Sequence, residues 1–176
     1  MKILIKYSLI LILAFTSLSF QQQQNFDPNA KVKAVFLYNF TKYFKWPEKM
    51  KSGNFVIHVI GINNSLTAEL NKMATTKQVG NQKLEIKSST NIDDSDVPQI
   101  IFLLSESSDM LKDVSGKYKG KGSLIVTEKA GLAKAGAAIN FVVAENKQRF
   151  EYSEKNAKKA GLVTGDGLNS LAIAVD

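Results

Sequence analysis

The chain has 176 residues, with 23 Lys and Arg against 16 Asp and Glu, a single His and no Cys. Without cysteine there can be no disulfide and no thiolate nucleophile or metal ligand, and one histidine is too few for a closed zinc site. The net charge of +7 is dispersed, with small clusters at 117–121 and 155–159. That suits solubility and a weak pull toward anionic lipid, and it does not make a stripe for nucleic acid.

The N-terminus reads as an export signal. Lys2 and Lys6 precede an almost wholly apolar run from Tyr7 to Phe15, and the small residues Ser17 and Ser19 stand two apart beyond it. This is the three-part pattern of a cleaved secretory signal, with the cut near Ser19. An uncleaved anchor is the competing reading, but a membrane span takes about 20 apolar residues and this run is shorter. No Cys follows it, so lipidation at a signal-peptide cysteine is excluded. Loss of Lys2 and Lys6 would lower the charge from +7 to +5. Residues 1–19 are thus a signal peptide, 20–28 a Gln-rich disordered leader, and 29–176 one domain, long enough for a real core.

Asp27-Pro28 reads as a helix start. From Asn29 to Trp46, the residues Val32, Val35, Phe36, Asn39, Phe40, Tyr43 and Phe44 fall at helical spacing, and Pro47 ends the run. Phe55–Ile60 is a continuous apolar stretch before Gly61, a buried strand of parallel type. Ser65 caps a helix reaching Thr75. Leu84-Glu85-Ile86 alternates as a strand, and 91–98 is an acidic loop. Ile100–Leu104 is a further buried strand, 108–118 a short helix with Met110, Leu111 and Val114 inward, and Leu124-Ile125-Val126 another strand. Ala138–Val143 and Gln148–Tyr152 form a hairpin about residues 144–147. Glu154–Ala160 is a helix closed by Gly161, and a last helix runs over 168–175. The alternation predicts a mostly parallel sheet with helices on both faces and an antiparallel hairpin near one edge.

Catalytic patterns are sparse. His58 lies mid-strand and reads as a buried, hydrogen-bonded histidine rather than a base. No G-x-S-x-G elbow occurs. Asp93, Asp94 and Asp96 lack the Gly and Glu positions of a calcium loop. Gly116, Gly120 and Gly122 lack the Walker spacing and read as a turn. Gly165 and Gly167, opening a helix, could offer amides to an anion, though a Gly-rich turn needs no ligand. No catalytic residue, cofactor or metal site is therefore assigned.

The aromatic set is the unusual feature. Four of the seven residues from Phe40 to Trp46 are aromatic, which cannot all face one way on a helix. Phe36 and Phe40 read as core, while Tyr43, Phe44 or Trp46 would reach the surface and anchor a partner. Arg149 and Glu151 are expected to pair across the hairpin, or else to lie at an interface.

The run from Lys33 to Pro47 (Lys-Ala-Val-Phe-Leu-Tyr-Asn-Phe-Thr-Lys-Tyr-Phe-Lys-Trp-Pro) resembles the opening helix of the YfiR-like family of bacterial periplasmic proteins. A second block is similar: Ile139-Asn140-Phe141, Arg149-Phe150-Glu151, Asn156-Ala157 and Ala160-Gly161-Leu162, closing with Leu168, Leu171 and Ala172. The resemblance implies a three-layer α/β sandwich, in agreement with the reading above, and a homodimer. It implies a non-catalytic regulator that binds the periplasmic part of an inner-membrane diguanylate cyclase, or of a sensor kinase, and so acts on cyclic-di-GMP and biofilm formation. Some members carry disulfides; this chain has no cysteine, so a redox-sensing version of that mechanism is excluded. Tyr43, Phe44, Trp46 and Arg149 are the expected partner-binding residues. The alternative is a periplasmic small-molecule sensor with its pocket at the carboxyl ends of the central strands.

Overall fold

The computed structural model describes residues 26–92 and 96–175. The expected signal peptide, residues 20–25 of the leader, and Asp93 and Asp94 lie outside them. Helix α1 spans Ala30–Tyr43 and buries Ala30, Ala34, Leu37 and Phe40 along one stripe. It stops three residues short of Trp46. Trp46 precedes Pro47 and so avoids the α region. Phe44 has already turned extended (φ −109, ψ 143), and Phe44–Lys45 form strand β1.

Strand β2 (Phe55–Ile60) leads to α2 (Asn64–Ala74). Asn63, not Ser65, caps α2, its side chain accepting from Leu66 N–H at 2.9 Å. There follow β3 (Gln78–Val79), β4 (Gln82–Ser89) and β5 (Ile100–Leu103). A 3₁₀ turn at Ser105–Met110 opens α3 (Leu111–Lys117). Then come β6 (Leu124–Thr127), a one-turn α4 (Leu132–Ala135) that the sequence pattern did not predict, β7 (Ile139–Ala144) and β8 (Lys147–Tyr152). The chain ends with α5 (Glu154–Lys159), β9 (Val163–Thr164), α6 (Leu168–Leu171) and β10 (Ile173–Ala174). The expected last helix is thus a single turn. Only Leu168 of α6 is buried, and the chain gains more by straightening so that β10 pairs with β8 and Val175 N–H reaches Tyr152 O at 2.9 Å.

The main sheet has the order β10-β8-β7-β6-β5-β2-β4-β3. The pairs from β7 through β4 are parallel, while β8 runs antiparallel to β7 and β3 to β4. A separate ribbon joins β1 to β9 antiparallel. Side chains alternate across the sheet. Phe55, Ile57, Ile100, Phe102, Phe141 and Phe150 lie in one core with α1 and α2, while Ile60, Ile101, Leu103 and Ile125 meet Leu111, Val114 and Tyr118 on the other side. The result is a three-layer α/β sandwich.

Two positions explain local sequence. Glu145 and Asn146 turn the β7–β8 hairpin with φ of 51° and 57°, the geometry of a two-residue loop. Gly122 has φ +93°, and a Cβ there would come within 2.5 Å of Met50 Sδ and 2.9 Å of Pro47 Cδ. Close packing of the loop after Trp46 therefore demands this glycine.

Candidate functional site

Strand order fixes where a site can form. From β2 the chain moves to β4 on one side; from β5 it moves to β6 on the other. Loops leaving in opposite directions open a crevice at the carboxyl ends of β2 and β5. A crevice of about 960 Å³ lies there, lined by Gly61, Ile62 and Asn63 after β2, Leu104, Glu106 and Ser107 after β5, Thr90 after β4 and Glu128 after β6. Phe26, Asp27, Pro28 and Lys33 close it from the start of α1.

Its wall is an ion triad. Lys33 Nζ lies 2.8 Å from Asp27 Oδ2 and 2.6 Å from Glu128 Oε2, with all three side chains largely buried. Asp27 also accepts from Asn29 N–H at 2.8 Å and Asn63 Nδ2 at 3.1 Å. Glu128 accepts from Ser105 N–H at 3.1 Å. Burial alone would raise the Asp27 carboxyl, but the hydrogen bonds from Lys33 and Asn29 hold it below its ordinary range. Burial would likewise lower Lys33, and its bonds to Asp27 and Glu128 instead raise it. Asp27, expected in the leader, is therefore clamped into the fold. Glu106 supplies a further carboxylate, Oε1 accepting from Ile62 N–H at 3.0 Å. Gly61 (φ +121°) lets this loop close, since a Cβ would meet that same oxygen at 2.7 Å. Three carboxylates against one ammonium leave the crevice acidic.

The sequence reading missed this triad, because Lys33 and Glu128 are 95 residues apart. A signal was present: Gly61 and Glu128 each directly follow a parallel strand, the position where open α/β sheets place their sites.

The expected partner-binding residues are not brought together. Phe44 and Trp46 are core residues, 4 % and 8 % exposed, which corrects the expectation of a surface anchor there. Their rings pack edge-on to each other, Trp46 also on Phe55 and Phe44 on Tyr152. Tyr43 is half-buried where α1 meets the chain after β9, its carbonyl accepting from Gly165 N–H at 2.6 Å. Arg149 lies on the opposite face of the sheet from α1, because Phe150, its neighbour, packs under Phe36 and Phe40. Nor do Arg149 and Glu151 pair. They share one strand, and Glu151 instead accepts from Asn140 Nδ2 at 2.8 Å, whose Oδ1 accepts from the Thr127 hydroxyl at 2.8 Å.

His58 is buried, its Nε2 2.8 Å from Ser89 Oγ. The Ser89 hydroxyl donates to Asn91 O, so His58 Nε2 is the donor to Ser89 and no serine is activated by it. Among the described residues no cluster of His, Cys, Asp and Glu is arranged to hold a metal ion, and no helix is long and apolar enough to cross a membrane.

Fold and site together define a doubly wound α/β sandwich with an open crevice at its switch point. The sequence profile of the DUF4154 family, described as YfiR/HmsC-like, matches residues 30–173. The chain belongs to this family, one of regulatory proteins of the periplasm. A search of curated proteins finds no significant match.

Proposed function

We propose that this chain is a secreted, non-catalytic periplasmic regulator that binds the extracytoplasmic domain of an inner-membrane signalling protein, a diguanylate cyclase or a sensor kinase, and shifts its output. Family membership over residues 30–173 is the observation that carries this reading. The signal-like N-terminus supports export. The mechanism is a population shift: the regulator binds one state of the receptor more tightly than the other. The chain acts as a homodimer, and its contact with the membrane is peripheral at most. The test is crosslinking of the tagged protein in living cells, followed by identification of what is attached in the membrane fraction. One enriched cyclase or kinase is the expected result; recovery of this chain alone counts against the reading.

A second reading, a sensor of small molecules, is favoured by the crevice between β2 and β5. Its acidic wall selects a ligand carrying a cation. A rise in melting temperature with a cationic small molecule, lost in Glu106→Gln, would support it.

A further inference from the structure

We propose that the open outer edge of β8 accepts an extended acidic segment of a partner protein as an added strand. The inference rests on the regulatory reading and specifies how the partner is held.

β10 covers β8 only at Glu151 and Tyr152. Among the described residues, β8 over Lys147 to Phe150 is laddered only to β7. The two-residue turn makes Ala144–Lys147 the first hydrogen-bonded pair, and Val142–Arg149 and Asn140–Glu151 follow by alternation. The main-chain N–H and C=O of Gln148, and the N–H of Phe150, therefore point away from β7. These are the groups an incoming strand uses.

Side chains decide which strand fits. Lys147 and Arg149 share one face of β8. Lys147 is exposed, and the Arg149 guanidinium has neither an ion pair nor a hydrogen bond among the described residues. Glu151, two residues on along the same face, is engaged by Asn140. The other face offers apolar surface. Val143, opposite Gln148, is 66 % exposed. Val32 precedes Phe36 by one turn and extends the same side toward Val143, since the start of α1 is tied to Glu128 at the carboxyl end of β6.

A second copy does not fit this edge. In either antiparallel register that uses Gln148, Arg149 would oppose a cation of the other copy, Lys147 when Gln148 faces Gln148 and Arg149 itself when Gln148 faces Phe150, which is destabilising. At the far edge of the sheet the charges are already balanced: Lys87 meets Asp96 and, at 4.0 Å, Glu85. The occupant selected at β8 is a strand with carboxylates at alternate positions and apolar residues between them.

The test titrates the secreted protein with a short peptide alternating Glu and Val, and with its Lys-Val counterpart, following backbone amides by NMR. The Glu peptide should slow exchange at Gln148 and Phe150 and bind at least about tenfold tighter than the Lys peptide. Arg149→Glu should reverse that preference. Gln148→Pro should abolish binding while the fold persists, because that N–H bonds nothing in the ladder. Gln148→Ala, which keeps the N–H, should still bind. Absence of Glu-peptide binding, or binding unchanged in Gln148→Pro, overturns the proposal. In cells, a receptor crosslinked equally by wild type, Gln148→Pro and Arg149→Glu overturns this edge alone. No receptor crosslinked to wild type counts instead against the regulatory reading.

Discussion

Trp46 Nε1 donates to the main-chain carbonyl of Gln99 at 3.1 Å, with both residues buried. The Gln99 side chain in turn accepts from Val56 N–H at 2.7 Å and donates to Met50 O at 2.8 Å. One buried amide and one indole thus fix the segment after α1 against the amino ends of β2 and β5. Trp46→Ala should cost about 3–5 kcal/mol, as expected for emptying a large aromatic site. Trp46→Phe should cost less, about 1–2 kcal/mol, from the smaller ring and the lost indole bond, since the Gln99 carbonyl still accepts from Leu124 N–H at 2.8 Å. Urea denaturation measures both. Trp46 is the only tryptophan, so native emission should be blue-shifted and move to the red on unfolding. Native emission like that of free tryptophan would contradict this placement.

The Lys33 triad predicts an asymmetric response to mutation and pH. Lys33→Met leaves Asp27 and Glu128 without their cation and should destabilise by about 2–4 kcal/mol, somewhat below a fully buried pair. In wild type, the lowered Asp27 pKa gives stability that is present above its ordinary 3.8 and lost as pH falls through the folded value. The raised Lys33 pKa gives stability that is complete below 10.5 and lost as pH climbs through the folded value. Between these limits the triad's contribution should be flat. Denaturation midpoints across pH, compared with Asp27→Asn, check this: the variant should lose part of the acid limb.

Gly61→Ala tests the crevice loop. Its positive φ and the 2.7–2.9 Å approach to Glu106 and Leu104 predict a loss of about 2–3 kcal/mol. Because Glu106 must give way, Ile62 should lose its hydrogen bond, and exchange at the Ile62 amide should rise more than exchange in β6.

Much of this fold was legible because periodicity reports burial. Phe55–Ile60 and Ile100–Leu104 read as buried strands since both faces of β2 and β5 are covered, and the 144–147 turn read as a hairpin since two strand-like runs flank a short polar gap. Helical spacing misplaced the end of α1. It treated Trp46 as a helix residue, where the pre-proline backbone and pairing with β9 turn the indole into the core. The last helix failed for a related reason: strand addition at β8 is a tertiary event, and the local pattern of 168–175 carries no trace of it. The triad was missed because its members meet only through topology, although Glu128 stands where a parallel strand ends.

Asn140 offers the sharpest test of the polar chain behind β8. It is fully buried, accepting from Thr127 and donating to Glu151. Asn140→Asp keeps the oxygen facing Thr127 but turns the atom facing Glu151 from donor to acceptor. Two carboxylates at hydrogen-bond distance cannot both stay ionised, so the pair must hold one proton or repel. Their folded pKa is then raised above the unfolded value. The folded state binds the extra proton, and stability should rise as pH falls through that raised value. The penalty relative to wild type should therefore be largest at neutral pH, about 2–4 kcal/mol, and shrink toward pH 5. Asn140→Ala, which has no ionisable group at the site, should show a penalty that does not shrink over the same range. If both variants respond to pH alike, Asn140 does not hold Glu151 as described, and the isolation of Arg149 from its neighbouring carboxylate falls with it.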